Sequence, residues 1–96
     1  MKSNEQDLYD IADCYFNGTK DISQDYAKAM SLYKEAANNG DAKAQYMVGY
    51  LYHMGLGTDK NFKEAFYWFE KASANNHLEA KKFLESYIKN GFHVWR

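Results

Sequence analysis

Apolar residues recur along this chain at spacings of three and four, and short polar or glycine-containing segments interrupt them at regular intervals. This periodicity is typical of amphipathic α-helices. The pattern predicts five helices, at about residues 4 to 17, 25 to 38, 41 to 54, 61 to 75 and 77 to 90.

The residues at the predicted boundaries support this division. Side chains that can accept a hydrogen bond from a first-turn N–H precede the helices, and glycine follows most of them. The predicted N-caps are Ser3, Asp25, Asp41, Asn61 and Asn76, and the predicted helix-ending glycines are Gly18, Gly40, Gly55 and Gly91. Because the connections are short, we expect consecutive helices to run antiparallel.

The chain also repeats itself, since segment 29–37 returns 36 residues later as segment 65–73. Residues 80–91 match residues 44–55 as a third, partial copy. A period of this length is typical of solenoids, in which helical hairpins stack and usually bind another protein.

The repeats predict an all-α fold with a single domain, residues 1–96. Repeat one covers about residues 4–40, repeat two about 41–76, and a partial capping repeat about 77–96. The predicted architecture is therefore an αα solenoid of two helical hairpins plus a closing helix.

Residue size at equivalent positions predicts how each hairpin packs. Ala12 pairs with Ala29 and Gly49 with Ala65, and a larger side chain at either place would push the helices apart. Glu85 takes the place of Gly49 in the third copy, where no second helix follows. The predicted core positions are Tyr15, Met30, Tyr33, Tyr52, Phe66 and Phe69.

The second repeat carries a recognisable motif. It reads Ala44-Gln45-Tyr46-Met47-Val48-Gly49, then Tyr52, Gly55 and Gly57, followed by Lys63-Glu64-Ala65, Trp68-Phe69 and Lys71-Ala72. This motif resembles the Sel1-like repeat, a relative of the tetratricopeptide repeat, and the resemblance covers nearly the whole chain. It implies a right-handed superhelix with an adaptor or scaffold role, often bacterial, and it implies no catalytic residues.

Some members of that family are secreted, cysteine-rich proteins whose hairpins are closed by disulfides, and these have been linked to β-lactam binding or hydrolysis. This chain departs from them because Cys14 is its only cysteine. We therefore do not extend the β-lactam link to it.

The first helix of each hairpin should line the inner curve of the solenoid. Positions left over after core assignment recur there at i, i+3, i+7 and i+10. They form the predicted groove for a protein or peptide partner: Tyr9, Asp13, Phe16, Lys43, Tyr46, Tyr50, His53, Lys82, Ser86 and Lys89, with Gln6 and Glu79 at equivalent positions. Its aromatic residues are candidate anchors. The alternative is that Phe16 and Tyr46 pack between repeats, since core residues obey the same spacing.

Composition and charge narrow the class of partner. The sequence pI is about 6.3 and the formal net charge is -1, whereas a nucleic-acid binder needs a basic stripe, so we expect no nucleic-acid partner. No apolar run approaches the roughly 20 residues of a membrane span, so we expect no membrane partner. The polar start of the chain and its single cysteine favour a cytoplasmic location.

The charge is unevenly distributed along the chain. Residues 1–25 contain two lysines and six acidic residues, whereas residues 77–96 contain four basic and two acidic residues. We hypothesise that this asymmetry orients a partner or favours a weak homo-oligomer through the solenoid ends. An ordinary solvated surface is the alternative.

No constellation of residues suggests catalysis. His53, His77 and His93 do not stand at metal-ligand spacings, and no serine or cysteine has an activating motif. We predict that the chain is not an enzyme and uses no metal or cofactor. The tail containing Phe92, Val94 and Trp95 either caps the last helix or forms a hydrophobic hook for a partner.

The sequence thus favours a non-catalytic adaptor or scaffold that binds a protein or peptide in its concave groove. The alternative is a bacterial immunity protein that neutralises a cognate toxin or effector enzyme, because a domain this short has no second module to bring together.

Overall fold

The structure, a computed structural model, describes the backbone of residues 4–91 and the side chains of residues 7–91. It contains five helices: α1 (Asn4–Asn17), α2 (Tyr26–Asn38), α3 (Ala42–Met54), α4 (Phe62–Ala74) and α5 (Leu78–Lys89). Each boundary lies within one residue of its predicted position, and no strand occurs in this part of the chain. The all-α prediction is confirmed. The Ser3 cap and the tail with Phe92, Val94 and Trp95 lie outside the described residues.

Three of the predicted N-caps are confirmed by hydrogen bonds. The Asp25 carboxylate accepts from the Lys28 N–H, and the Asn61 side chain accepts from the Glu64 N–H, both at 3.0 Å. The Asp41 carboxylate accepts from the N–H groups of both Lys43 and Ala44 at the start of α3.

The predicted cap of α5 was wrong by one residue. His77 caps this helix, and its Nδ1 accepts from the Ala80 N–H at 3.2 Å. Asn76 instead has a φ of 70° and shapes the turn after α4, because asparagine tolerates the left-handed conformation better than most residues.

The helices pack in the order of the chain. α1 packs on α2 and α3 on α4 to form two hairpins, while α2–α3 and α4–α5 contacts join consecutive layers. This arrangement is the expected solenoid of two hairpins and a closing helix.

The predicted small residues lie at the closest contacts of the hairpins. Ala12 and Ala29 are fully buried. A Cβ added to Gly49 would lie 2.8 Å from ring atoms of Phe69 and 3.3 Å from the Ala65 carbonyl oxygen. Glu85 is exposed, as expected where no sixth helix follows in the described chain.

The core consists of two clusters of buried side chains. Met30 and Tyr33 lie in the first cluster, and Phe66 and Phe69 lie in the second. Tyr52 is partly buried and packs against both clusters, so the core is continuous from one repeat to the next.

One buried polar side chain connects three helices. The Gln45 amide nitrogen donates to the carbonyl oxygen of Ala37 at 3.2 Å, and its oxygen accepts from the Asn75 side chain at 2.9 Å. These bonds satisfy the amide and link α3 to the ends of α2 and α4.

Candidate functional site

Four aromatic side chains run across the face shared by α1, α3 and α5. We call them the aromatic strip: Phe16, Tyr46, Tyr50 and Phe83. The Tyr50 ring centroid lies 6.5 Å from the centroids of both Phe16 and Phe83. Tyr46 lies 6.3 Å from Tyr50 and 6.0 Å from Phe83. The strip therefore passes through all three helices without interruption.

Helix geometry explains why these residues meet. Tyr46 and Tyr50 are four residues apart on α3 and so share one face of that helix. Phe16 comes from the last turns of α1 and Phe83 from α5, the helices on either side of α3 on this face.

A pocket of about 300 Å³ opens beside the strip between α1 and α3. We call it the anchor pocket, and its lining residues are Phe16, Tyr46, Met47 and Tyr50. Because the lining is aromatic and thioether, the pocket suits a large apolar side chain.

Phe16 and Tyr46 contact side chains of the neighbouring repeat and also line the anchor pocket. Their role as anchors for a partner stays a prediction. The Phe16 ring lies 6.5 Å from that of Tyr50 in the second repeat, and the Tyr46 ring stacks on His77 at 4.6 Å with an interplanar angle of 17°. Each residue therefore packs between repeats with part of its ring and lines the anchor pocket with the rest.

The tyrosine hydroxyls on this face are available for hydrogen bonding. Those of Tyr9, Tyr46 and Tyr50 make no hydrogen bond within residues 7–91. Burial, followed by the charge of Glu79, raises the pKa of Tyr46 above its ordinary value. Burial and the nearby Asp13 likewise raise the pKa of Tyr9. The hydroxyls of Tyr9 and Tyr46 stay protonated and can both donate and accept.

A second pocket of about 220 Å³ lies on α5. We call it the charged pocket, and Glu79, Lys82, Phe83 and Ser86 line it. The Lys82 ammonium lies 3.8 Å from a Glu79 carboxylate oxygen, and the two side chains are 73% and 61% exposed. An ion pair this exposed is weak and exchanges readily for a pair with an incoming group.

The remaining predicted residues on α1 and α3 have partners within the protein. The Asp13 carboxylate accepts a hydrogen bond from the buried Tyr33 hydroxyl, and the Tyr9 ring lies 5.5 Å from the Tyr33 ring. The Lys43 ammonium lies 5.0 Å from the centroid of Tyr9. These contacts fix the edge of the face next to the strip.

His53 lies in the contact between α3 and α5 rather than beside the anchor pocket. Its Nδ1 is 2.7 Å from the Tyr87 hydroxyl, and its ring lies 5.2 Å from that of Phe83. Burial and the charge of Lys60 lower the pKa of His53. Lys89, the last residue of α5, is exposed.

Sequence reasoning missed Met47 and Phe83 as lining residues. They occupy equivalent positions in the second and third copies, and each lines one of the two pockets. Their recurrence was visible in the sequence, but apolar residues at helical spacing usually indicate core positions rather than pocket-lining ones.

The described residues provide no metal site. No group of three His, Cys, Asp or Glu side chains comes close enough to hold a metal ion between residues 7 and 91. Among the five helices, none is both long and apolar enough to cross a membrane.

Comparison with known proteins identifies relatives of this chain. The chitin synthase regulator SKT5 of Saccharomyces cerevisiae is 40% identical over 65 residues, which are 68% of this chain and 9% of the regulator. The chain thus spans a small part of that protein.

Solved structures share the fold. A Sel1 repeat protein from Oxalobacter formigenes has a TM-score of 0.89 and 31% identity, over 94% of this chain and 37% of that protein. Cysteine rich protein B of Helicobacter pylori has a TM-score of 0.79 and 30% identity, over 85% of this chain and 61% of that protein.

The family model for the Sel1 repeat matches twice, at residues 7–41 and 42–77. These matches cover most of the chain and agree with the two hairpins of the structure. The chain belongs to the Sel1 repeat family.

Proposed function

We propose that this chain is a non-catalytic protein–protein interaction module that binds an extended segment of a partner protein across α1, α3 and α5. The aromatic strip with its adjoining anchor pocket is the observation that carries this proposal. The strip presents rigid apolar area on the face of the fold predicted to bind partners.

The groups beside the strip favour an extended backbone as the occupant. An extended segment has unpaired N–H and C=O groups along its length, and the hydroxyls of Tyr9, Tyr46 and Tyr50 can pair with them. A helical ligand satisfies its own backbone and would offer these hydroxyls few main-chain partners. Asp13 is on α1 and Lys82 is on α5, the first and last of the three helices that the strip crosses, and side chains of both signs suit a polypeptide better than a uniformly charged ligand.

The relatives support binding rather than catalysis. SKT5 is named as a regulator of chitin synthase, which is a role exerted on another protein. The immunity-protein hypothesis gains nothing from these relatives and stays a sequence-based hypothesis.

Affinity capture with paired variants tests the proposal. Tagged wild-type chain, Tyr50→Ala and Tyr67→Ala are incubated with lysate of the source organism, and bound proteins are quantified by mass spectrometry. Tyr67 is the matched control because it is an exposed tyrosine on α4, outside the strip. Far-ultraviolet circular dichroism confirms that all three are helical.

We expect proteins that wild type and Tyr67→Ala capture equally and that Tyr50→Ala loses. The captured protein, once purified, should bind Tyr50→Ala at least about tenfold more weakly, as expected of an interface hot spot. Equal capture by all three chains, or equal affinities, would refute binding at the strip. A captured toxin or secreted effector enzyme would favour the immunity hypothesis over a general adaptor.

A further inference from the structure

We infer that the bound segment carries a large apolar side chain in the anchor pocket and an acidic residue three positions away at the charged pocket, opposite Lys82. This inference rests on the proposed function and adds the sequence pattern of the partner.

The two pockets are repeats of one another. Tyr46, Met47 and Tyr50 of the anchor pocket occupy the same repeat positions as Lys82, Phe83 and Ser86 of the charged pocket. The pockets therefore lie at the same height on consecutive first helices. A segment that crosses these helices in order meets one pocket after the other.

The separation of the layers sets the spacing along the ligand. Packed helices lie about 8 to 10 Å apart. We take this range for α3 and α5 because their side chains are in contact on this face, with the Tyr46 and Phe83 ring centroids 6.0 Å apart. In the polyproline II conformation, side chains three residues apart point the same way and lie about 9 Å apart. In a β-strand, residues that share a face are two positions apart and only about 7 Å apart. A spacing of three residues therefore fits the two pockets best.

The difference in lining sets the chemistry at each position. Where the anchor pocket has Tyr46 and Tyr50, the charged pocket has Lys82 and Ser86, so an ammonium and a hydroxyl replace two aromatic rings. The Phe83 ring remains and can contact the apolar stem of a ligand side chain. An ammonium and a hydroxyl together suit a carboxylate.

The surrounding charges agree with an acidic ligand group at this end. The Glu79 carboxylate would repel an acidic ligand group. The ion pair between Glu79 and Lys82 is exposed and weak, however, so Lys82 can pair with the ligand instead. Lys81 and Lys89 are two further exposed cations on the same helix. Residues 77–91 carry three lysines and two glutamates, whereas residues 7–25 carry one lysine and five aspartates.

Selection from a random peptide display library tests this pattern. The baits are wild type, Lys82→Glu, Lys81→Glu and Tyr50→Ala. Lys81→Glu is the matched control because it makes the same charge change on α5 at the repeat position of Gln45, which is turned away from the strip.

Wild type and Lys81→Glu should enrich peptides with a large apolar residue and Asp or Glu three positions away. Lys82→Glu should keep the apolar preference and exchange Asp or Glu for Lys or Arg. In fluorescence polarisation with the best wild-type peptide, reversing its acidic residue should weaken binding to wild type by about two- to fivefold, as expected of an exposed ion pair. Lys82→Glu should bind the reversed peptide better than the original.

The outcomes separate the two proposals. An apolar preference without any charge preference would overturn the inference and leave the proposed function standing. A charge preference that is the same for wild type and Lys82→Glu would do so too. Failure of wild type to enrich any peptide above Tyr50→Ala would overturn both.

Discussion

Gly57, in the turn between α3 and α4, lies directly against the start of α2. A Cβ at this position would be 2.5 Å from the backbone carbon of Tyr26, and the residue has a φ of 75°. Substitution therefore meets two obstacles, a steric clash with the neighbouring backbone and a left-handed conformation that side chains disfavour. Gly40 has a φ of 98° but nothing within 4 Å of an added Cβ, so only the second obstacle applies there.

The two glycines give a paired prediction for stability. Gly40→Ala should cost about 1 to 2 kcal/mol, the usual penalty for a left-handed residue. Gly57→Ala should cost about 2 to 5 kcal/mol, because the clash adds the cost of overpacking. Urea unfolding followed by circular dichroism measures both. Equal losses would show that the contact between the α3–α4 turn and α2 accommodates the added Cβ without the predicted clash.

At the scale of helices, two histidines make polar contacts with α5. The Nδ1 of His77 accepts from the Ala80 N–H at the start of the helix, and His53 on α3 bonds to Tyr87. His77 can cap only while Nδ1 is unprotonated, and a positive charge there would oppose the helix dipole.

The surroundings of both histidines lower their pKa. Burial is the largest cause for His77, with Glu79 and Asp41 raising its pKa and Lys43 lowering it. For His53, burial and the charge of Lys60 both lower the pKa. With the folded pKa below the unfolded value of 6.5, the unfolded chain binds protons more readily. The contribution of the two neutral histidines to the free energy of unfolding is therefore fully present above about pH 6.5. It is lost as pH falls through the folded pKa values.

Replacing His77 with asparagine should reduce this pH dependence. Asparagine is a good N-cap that does not titrate, so His77→Asn keeps the cap. We expect the melting temperature of wild type to fall more between about pH 7 and pH 5 than that of His77→Asn, while carboxylates and other histidines titrate alike in both. Parallel curves for the two proteins would rule out a role for His77 titration.

The elements were predictable from sequence because helix ends carry local signals. Cap residues and glycines act within one turn, so each boundary was predicted to within one residue. His77 was missed as a cap because asparagine at position 76 is the commoner capping residue.

The site was only partly predictable, because the spacing of apolar residues identifies a helix face without showing how much of it a neighbouring helix covers. Phe16, Tyr46 and Tyr50 were predicted to share one face, and their rings lie next to one another in the structure. Their role in binding a partner stays a prediction. The position of His53 between α3 and α5 depends on the contact with Tyr87, which lies 34 residues away along the chain. No local pattern encodes such a contact.

At the scale of the whole molecule, the two hairpins and one helix of the described residues form a short array. Solenoids gain stability from each interface between neighbouring repeats, and about three repeats are usual for independent stability. A ligand that spans α1, α3 and α5 would contact each layer formed by residues 4–91. We therefore expect ligand binding to stabilise the whole chain rather than one helix.

The best peptide from the display selection should raise the melting temperature strongly. At 100 times its Kd, a ligand that binds only the folded state adds about 2.7 kcal/mol. For a domain of this size, that corresponds to roughly 10 to 20 °C. Differential scanning calorimetry measures the shift, with Tyr50→Ala as the control. A similar shift in Tyr50→Ala would place binding elsewhere on the molecule.

The uneven charge gives a further prediction for the isolated protein. Ile11 on α1 and Leu78 and Ile88 on α5 are exposed at opposite ends of the helix order, with acidic and basic surroundings respectively. We expect weak head-to-tail association at low salt that high salt reverses, because screening weakens exposed charge pairs. Analytical ultracentrifugation at two salt concentrations measures this. A monomer under both conditions would exclude association through the solenoid ends.

The central claim is that a polypeptide binds on the face formed by α1, α3 and α5. Titration of isotope-labelled protein with the selected peptide, followed by two-dimensional nuclear magnetic resonance, tests this claim most directly. We predict that the largest chemical-shift changes fall at Phe16, Tyr46, Tyr50 and Phe83, with little change at Tyr67. Changes concentrated on α2 and α4 would contradict the claim.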